Sequence, residues 1–278
     1  MKHIRLGFAD FSIMWGPWPS PVDFFVNMLK SDFDIEVTND NPDFLMCSWP
    51  GEEHRNYSCP KIFYSGENRP PDFETYNWCM THDFCDDPHH YRLPIYLLFG
   101  DAYQLLQPKP PIDQLWNREF CCVMFGKRYP FQESPREDFF HRLCSYKKVH
   151  SFGPHFNNMG RVIPIEGKIE ACKNYKFVLS FENHAASGWT TEKIFMAMLA
   201  NSVPVYWGNP EIGQEFNHRS FVNCQDGNWD AAIQRIKELD QDKERYAAIM
   251  NEPYFTGNQV NEFACKENIL KFFHRIFD

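Results

Sequence analysis

Apolar residues arrive in short runs along the first hundred positions, each closing on turn residues. "KHIRLGFA" (2–9), "PDFLMCSW" and "PKIFYSGEN" read as parallel strands buried on both faces. Between the first two, "FFVNMLKSDFDIEVTND" predicts a helix over 22–30 and a short strand from Ile35 to Val37. "QPKPPIDQLWN" (107–117) is proline-rich and polar and marks a domain boundary. Beyond it the alternation restarts. "EFCCVMF", "KKVHSFG", "KFVLSFEN", "VPVYWG" and "SFVNC" are predicted strands; "SPREDFFHRLCSY", "GKIEACKNY", "TEKIFMAMLAN", "NPEIGQEF" and the long "NWDAAIQRIKELDQDKERYAAIMN" are predicted helices. Asn201 suits a helix end, and Asn209-Pro210-Glu211 a helix start. Residues 259–278 form a last amphipathic helix, with Ile269, Leu270, Phe273, Ile276 and Phe277 at helical spacing. Repeated strand and helix in two halves is the α/β pattern. It predicts two Rossmann-like domains, 1–112 and 113–258, facing each other across a cleft, with ligands beyond the carboxyl ends of the strands.

Composition narrows the possible partners. A net charge of -9 argues against nucleic acid, whose phosphates need clustered Lys and Arg, so an anionic substrate requires positive charge gathered locally. Arg5 and Asp10 interrupt any leader-like apolar region in "MKHIRLGFADFSIMWGPWP", and "LPIYLLFGDAYQLL" is too short to span a bilayer. A soluble chain with no transmembrane segment is expected. The ten cysteines contain no CxxC pair, and Cys121-Cys122 sit in an apolar run as buried thiols. His82, Asp83, His89 and His90 lie close in sequence but lack ligand spacing, so no metal site is expected.

Local positive charge is found at two helix starts. In "FENHAASGWTTEKIF" (181–195), Thr190 or Thr191 is a natural N-cap; from Thr190, Glu192 falls at N2 and Lys193 at N3. A carboxylate there complements the helix dipole, whereas lysine has the wrong sign. A phosphate bound at this helix start would remove the conflict. Arg136, opening "REDFFHRL", presents the same mismatch, and a guanidinium forks onto phosphate oxygens.

The stretch "KFVLSFENHAASGWTTEKIFMAMLANSVPVYWGNPE" strongly resembles the donor-binding signature of the α-1,3/4-fucosyltransferases, glycosyltransferase family 10. Weaker similarity runs through "SGENRPPDF", "YRLPIYLLF" and "SPREDFFHRL", so the likeness covers nearly the whole chain, and it is nearest to the bacterial soluble type. The resemblance implies a GT-B fold and a GDP-fucose donor held by the C-terminal domain. It also implies inversion at the fucose anomeric carbon, no cofactor and metal-independent chemistry. The terminal helix, 259–278, would then pack back on the N-terminal, acceptor-binding domain.

Inverting transfer needs a carboxylate base for the acceptor hydroxyl and cations or N–H donors around the diphosphate. Glu67, following the strand "KIFYS", matches the family's base. Arg136 and Lys193 match its diphosphate contacts, and Glu192 a glutamate that stabilises charge developing on fucose. Asn183 and Thr191 are further donor-binding candidates. Glu182 either contacts the donor or holds the loop by hydrogen bonds. Trp189 stands where bacterial relatives often have tyrosine, which keeps an aromatic wall without a phenol; the loop "HAAS" also departs from common family versions.

The expected activity is transfer of L-fucose from GDP-fucose to O3 of GlcNAc in N-acetyllactosamine-type glycans, giving Lewis x-type structures on lipopolysaccharide. The expected place is the cytoplasm, free or peripheral at the inner membrane. Two alternatives stay open: another nucleotide sugar such as GDP-mannose, or a catalytically silent glycan-binding protein on the same scaffold.

Overall fold

The computed structural model of the protein describes residues 1–11, 20–126 and 135–278. The chain divides into two compact units, one of residues 1–102 with 262–278, the other of 103–261. The division falls ten residues before the boundary placed at 112, because the proline-rich stretch belongs with the second unit. There Lys109 Nζ donates to the carbonyls of Met250 and Glu252 at 2.7 and 2.6 Å and lies over the Tyr254 ring.

The first unit contains β1 (Lys2–Ala9), helix α1 (Pro21–Leu29), β2 (Phe33–Val37), β3 (Phe44–Cys47), β4 (Lys61–Tyr64), β5 (Trp78–Thr81) and β6 (His90–Arg92). They form one parallel sheet in the order β2-β1-β3-β4-β5-β6. Ser20 caps α1 by accepting from Asp23 N, with Pro21 in the first turn. The strands β5 and β6 have no counterpart in the sequence reading. Their polar members hide the apolar signal: Thr81 Oγ1 donates to Asp83 Oδ2 at 2.7 Å and lies 2.9 Å from His90 Nε2.

In the second unit the elements are α2 (Ile112–Trp116), β7 (Glu119–Val123), α3 (Arg136–Tyr146), β8 (Val149–Ser151), α4 (Lys168–Cys172), β9 (Tyr175–Phe181), α5 (Glu192–Leu199), β10 (Val203–Trp207), β11 (Val222–Asn223), α6 (Trp229–Gln241) and α7 (Lys243–Asn251). Its parallel sheet runs β11-β10-β9-β7-β8. All seven residues of β9 are buried, as a central parallel strand covered on both faces requires. The continuous helix expected from 228 to 251 is two helices. Asp242 leaves helical geometry at φ -123°, ψ 107° and its carboxylate accepts from Glu244 N and Arg245 N, capping α7. "NPEIGQEF" gives only a single 3₁₀ turn, Ile212–Gln214, rather than a helix started by Asn209. Asn201 does end α5, with φ 52°.

The last helix, α8 (Lys266–Phe277), starts seven residues later than expected and belongs to the first unit. It buries Ile269, Leu270, Phe272, Phe273, Ile276 and Phe277. Phe273 meets Phe25 of α1 at 6.1 Å, Phe277 meets Phe33 and Phe44 at 5.1 and 4.8 Å, and Phe272 meets Trp78 at 5.6 Å. Burial of each such side chain is worth about 1.5–3 kcal/mol, so α8 is part of this unit's core.

All ten cysteines are free thiols. No helix among the described residues is long and apolar enough to cross a membrane. Among them, too, no three His, Cys, Asp or Glu side chains gather as metal ligands.

Candidate functional site

The strand order of the second unit reverses between β7 and β9: the chain passes from β7 to β8 on one side, then jumps over β7 to place β9 on the other. At such a switch point the loops leaving two neighbouring strands separate and open a crevice beyond their carboxyl ends. The loop after β7 leads to Arg136, and β9 runs directly into Glu182 and Asn183. Arg136 Nη1 donates to Asn183 Oδ1 at 2.9 Å, joining the two sides. Arg136 is buried, with its guanidinium 5.2 Å from the centre of the Phe125 ring.

Glu182 is fully buried. Its Oε1 accepts from Thr191 N at 2.8 Å, and Oε2 accepts from Thr191 Oγ1 at 2.7 Å and Lys193 Nζ at 2.9 Å. Thr191 is the N-cap residue of α5 by backbone geometry, yet its hydroxyl caps nothing, because it donates to Glu182 and accepts from Lys193 Nζ. Glu192 and Lys193 are therefore N1 and N2 rather than N2 and N3. The sign conflict of Lys193 with the dipole is met from within the protein. Glu182 sits 2.9 Å from the ammonium, and Glu192 Oε1 lies at 3.9 Å. Of the two roles open to Glu182, the hydrogen bonds are those of a residue that holds the loop.

Charge in this cluster is strongly coupled. Burial works against the Lys193 ammonium, but Glu182 and Glu192 outweigh it and raise its pKa. Burial pushes the Glu192 carboxyl up, while Lys193 and then Lys168 pull it further down, to about 2. For Glu182, burial dominates and raises it above the ordinary carboxylate value, with Lys193 offsetting only part. The proton accordingly stays on Lys193, and Glu192 is an anion at neutral pH.

Trp189 is buried and stacks on His184, centroids 4.1 Å apart and planes 20° from parallel. Burial, then the charge of Lys193, lowers the pKa of His184. Behind this wall lies a group that sequence reasoning missed. Asn209 is fully buried; its Oδ1 accepts from Gly188 N and Glu211 N, both at 2.9 Å, and its Nδ2 donates to Thr190 Oγ1 and Glu215 Oε1 at 3.0 and 3.1 Å. Thr190 Oγ1 also donates to Glu215. Only the fold shows this, since Glu215 lies 25 residues from Thr190 along the chain.

Gly208 completes the support. A Cβ there would lie 2.2 Å from Glu182 Cγ and 2.9 Å from the Tyr206 hydroxyl, too close for any side chain. Gly208→Ala is expected to destabilise by about 1–3 kcal/mol, as overpacking does. Because Glu182 must move, its hydrogen bonds to Thr191 and Lys193 should weaken with it; unchanged thermal unfolding would contradict this.

Glu67 belongs to the first unit and follows β4, at the carboxyl end of that sheet. Its backbone is pinned: Glu67 N donates to Ser65 Oγ at 3.2 Å and Arg69 N donates to Glu67 O at 2.7 Å. At this unit's own strand reversal, between β1 and β3, the sequence reading named nothing. There Asp10 is buried and accepts from Glu53 N, His54 N and His54 Nδ1 at 2.9, 3.2 and 2.7 Å, fixing the loop that leaves β3.

Residues 121–260 match the family model described as glycosyltransferase family 10 (fucosyltransferase) C-term, and residues 7–99 match the alpha-(1,3)-fucosyltransferase FucT N-terminal domain. The chain belongs to glycosyltransferase family 10. Every candidate donor-site residue lies in the matched C-terminal part of this family-10 chain, and Glu67 in the matched N-terminal part. The Alpha-(1,3)-fucosyltransferase FucT of Helicobacter pylori is 29% identical over 225 residues, 69% of this chain and 46% of the relative. A mimivirus putative fucosyltransferase is 32% identical over 54% of this chain and 26% of its own length. The chain thus spans less than half the length of these two relatives. The mouse 4-galactosyl-N-acetylglucosaminide 3-alpha-L-fucosyltransferase 9 is 30% identical over 88% of this chain and 72% of its own. Among solved structures, an alpha1,3-fucosyltransferase superposes with a TM-score of 0.81 at 25% identity, covering 99% of this chain and 90% of that one. Its complex with GDP-fucose gives 0.78, over 100% and 91%. An alpha-glucosyltransferase at 11% identity and a TM-score of 0.64 shares the fold alone. The family-10 chain therefore has the GT-B class of fold, with a parallel α/β sheet in each unit.

Proposed function

We propose that the protein transfers L-fucose from GDP-fucose to O3 of GlcNAc in N-acetyllactosamine-type glycans, with inversion at the anomeric carbon. The observation that carries this reading is the cluster at the β7/β9 switch point, which gathers the cations Arg136 and Lys193 with Asn183 and Glu192 at the start of α5. A homologous alpha1,3-fucosyltransferase that matches the whole chain is known with GDP-fucose, which supports that sugar nucleotide as the anion.

Arg136 and Lys193 would meet the diphosphate, with the guanidinium forking onto phosphate oxygens. As the C–O bond to the diphosphate breaks, negative charge grows on the leaving group and positive charge on the fucose ring. Fixed cations stabilise the first without reorganisation, and Glu192, ionised and held at the start of α5, stabilises the second. Asn183 would orient the donor, and Trp189 would wall it. Glu67 would take the proton of the attacking hydroxyl. No metal is required, since Arg and Lys supply the positive charge. The products would be Lewis x-type structures, on lipopolysaccharide as carrier. The ten free thiols favour the reducing cytoplasm as compartment.

GDP release tests the proposal. Release should require both GDP-fucose and N-acetyllactosamine, and be absent with GDP-mannose or without acceptor. Equal release from GDP-mannose would reassign the donor. Silence with both donors, despite tight GDP binding, would favour the glycan-binding alternative.

A further inference from the structure

Lys168 opens α4, and no feature of the sequence separates it from an ordinary surface lysine. In the fold its Nζ lies 3.7 Å from Glu192 Oε1, and its side chain is 22% exposed. A small cavity of about 30 Å³ at the start of α5 is lined by Lys168, Glu192 and Lys193, with Met124 and Phe125 just beyond β7 and apolar residues of α4, β9 and α5. Helix α4 packs directly on α5, and the Ser202 hydroxyl lies at its far end within hydrogen-bond reach of the carbonyls of Cys172 and Tyr175, at 2.9 and 2.8 Å. The lysine is therefore held at the switch point by fixed elements.

Charge balance makes this position significant. Lys193 is spoken for by Glu182, and Glu192 adds a second carboxylate beside it. Glu215 lies behind them, bonded to Thr190 and Asn209. Among the described residues, the cations Arg136, Lys193 and Lys168 gather with these carboxylates around the start of α5. Without Lys168 the carboxylates Glu182 and Glu192 share Lys193, in a chain that is already -9. A diphosphate entering the cluster would then meet these carboxylates at short range, where screening by salt is weak.

We infer that Lys168 is a third diphosphate-directed cation of the donor site, in addition to Arg136 and Lys193. The inference rests on the donor assignment above. By approaching the incoming phosphate, Lys168 also relaxes its hold on Glu192 and leaves that carboxylate to the sugar.

The test is calorimetric titration of GDP and of guanosine onto the full chain and its Lys168→Ala and Lys168→Arg variants, with thermal unfolding of each as a folding control. Loss of a charged hydrogen-bonding partner predicts about tenfold or greater weakening of GDP for Lys168→Ala. Guanosine affinity should be unchanged, and Lys168→Arg should recover most of the loss. Unchanged GDP affinity, or equal weakening of GDP and guanosine, overturns the inference, the second outcome marking a purely structural lysine. If Lys168→Ala does not fold, Lys168→Arg and Lys168→Met decide on the same criteria. A wild-type chain that binds no GDP overturns the donor assignment itself.

Discussion

Glu67→Gln should lower acceptor-dependent GDP release by about 10²–10⁴-fold, the usual contribution of a positioned general base. The amide keeps the size of the carboxylate but cannot accept the proton of the attacking hydroxyl. The surrounding turn should survive the change, because Glu67 takes part in it through its main chain: its N donates to Ser65 Oγ and its O accepts from Arg69 N. Beneath it, a Cβ at Gly66 would lie 2.4 Å from Ile95 Cδ1, so the backbone is seated directly on the core. GDP affinity and thermal unfolding should match the unaltered protein. A variant that retains more than about a tenth of the rate would remove Glu67 from the role of base.

Lys193→Met should cost about 3–5 kcal/mol of stability, the range for breaking one side of a buried ion pair. The asymmetry of exposure explains the size: the Lys193 side chain is 21% exposed, whereas that of Glu182 is 0% exposed. Removing the lysine leaves the carboxylate, among the described residues, with Thr191 N and Oγ1 as its hydrogen-bond partners. The loss should also depend on pH. Glu182 already lies above the ordinary carboxylate value, and without Lys193 it rises further. Between its unfolded and folded pKa values the native state then holds a proton that the unfolded chain has released. More protons on the native state mean that stability falls as pH rises. The variant should therefore be more stable in mild acid than above neutrality, as chemical unfolding at several pH values would show. Adding Glu182→Gln should restore much of the loss, since a neutral pair leaves no uncompensated charge. If the two single losses simply add in the double variant, the pair is not coupled and this account of α5 is wrong.

Much of the architecture was legible along the chain because short buried parallel strands and amphipathic helices leave opposite hydrophobic patterns. The strands β1, β4, β7 and β9 and helices α1, α3 and α5 follow that rule. Legibility failed where polar residues do structural work inside an element. Thr81 and His90 obscured β5 and β6, and Asp242 divided a pattern that is continuous in hydrophobicity. For the site, the signature at 181–195 and the sign mismatches of Arg136 and Lys193 pointed to the candidate donor region. The counter-ions could not be found in that way. Glu182 to Lys193 is an 11-residue separation crossing a strand end, a loop and a helix start, and Glu215 and Lys168 lie on other elements altogether.

The sequence by itself determined the α/β class, the family and the neighbourhood of the candidate site, because periodicity and local motifs are properties of consecutive residues. Only the tertiary structure decided how that neighbourhood is charged. It moved Lys193 to the second position of α5 and gave it a buried carboxylate partner. It brought Arg136 onto Asn183 across a strand reversal and set Lys168 against Glu192. Electrostatic energy depends on distance through space and on the water excluded between charges, and neither is written in the spacing of residues along a chain.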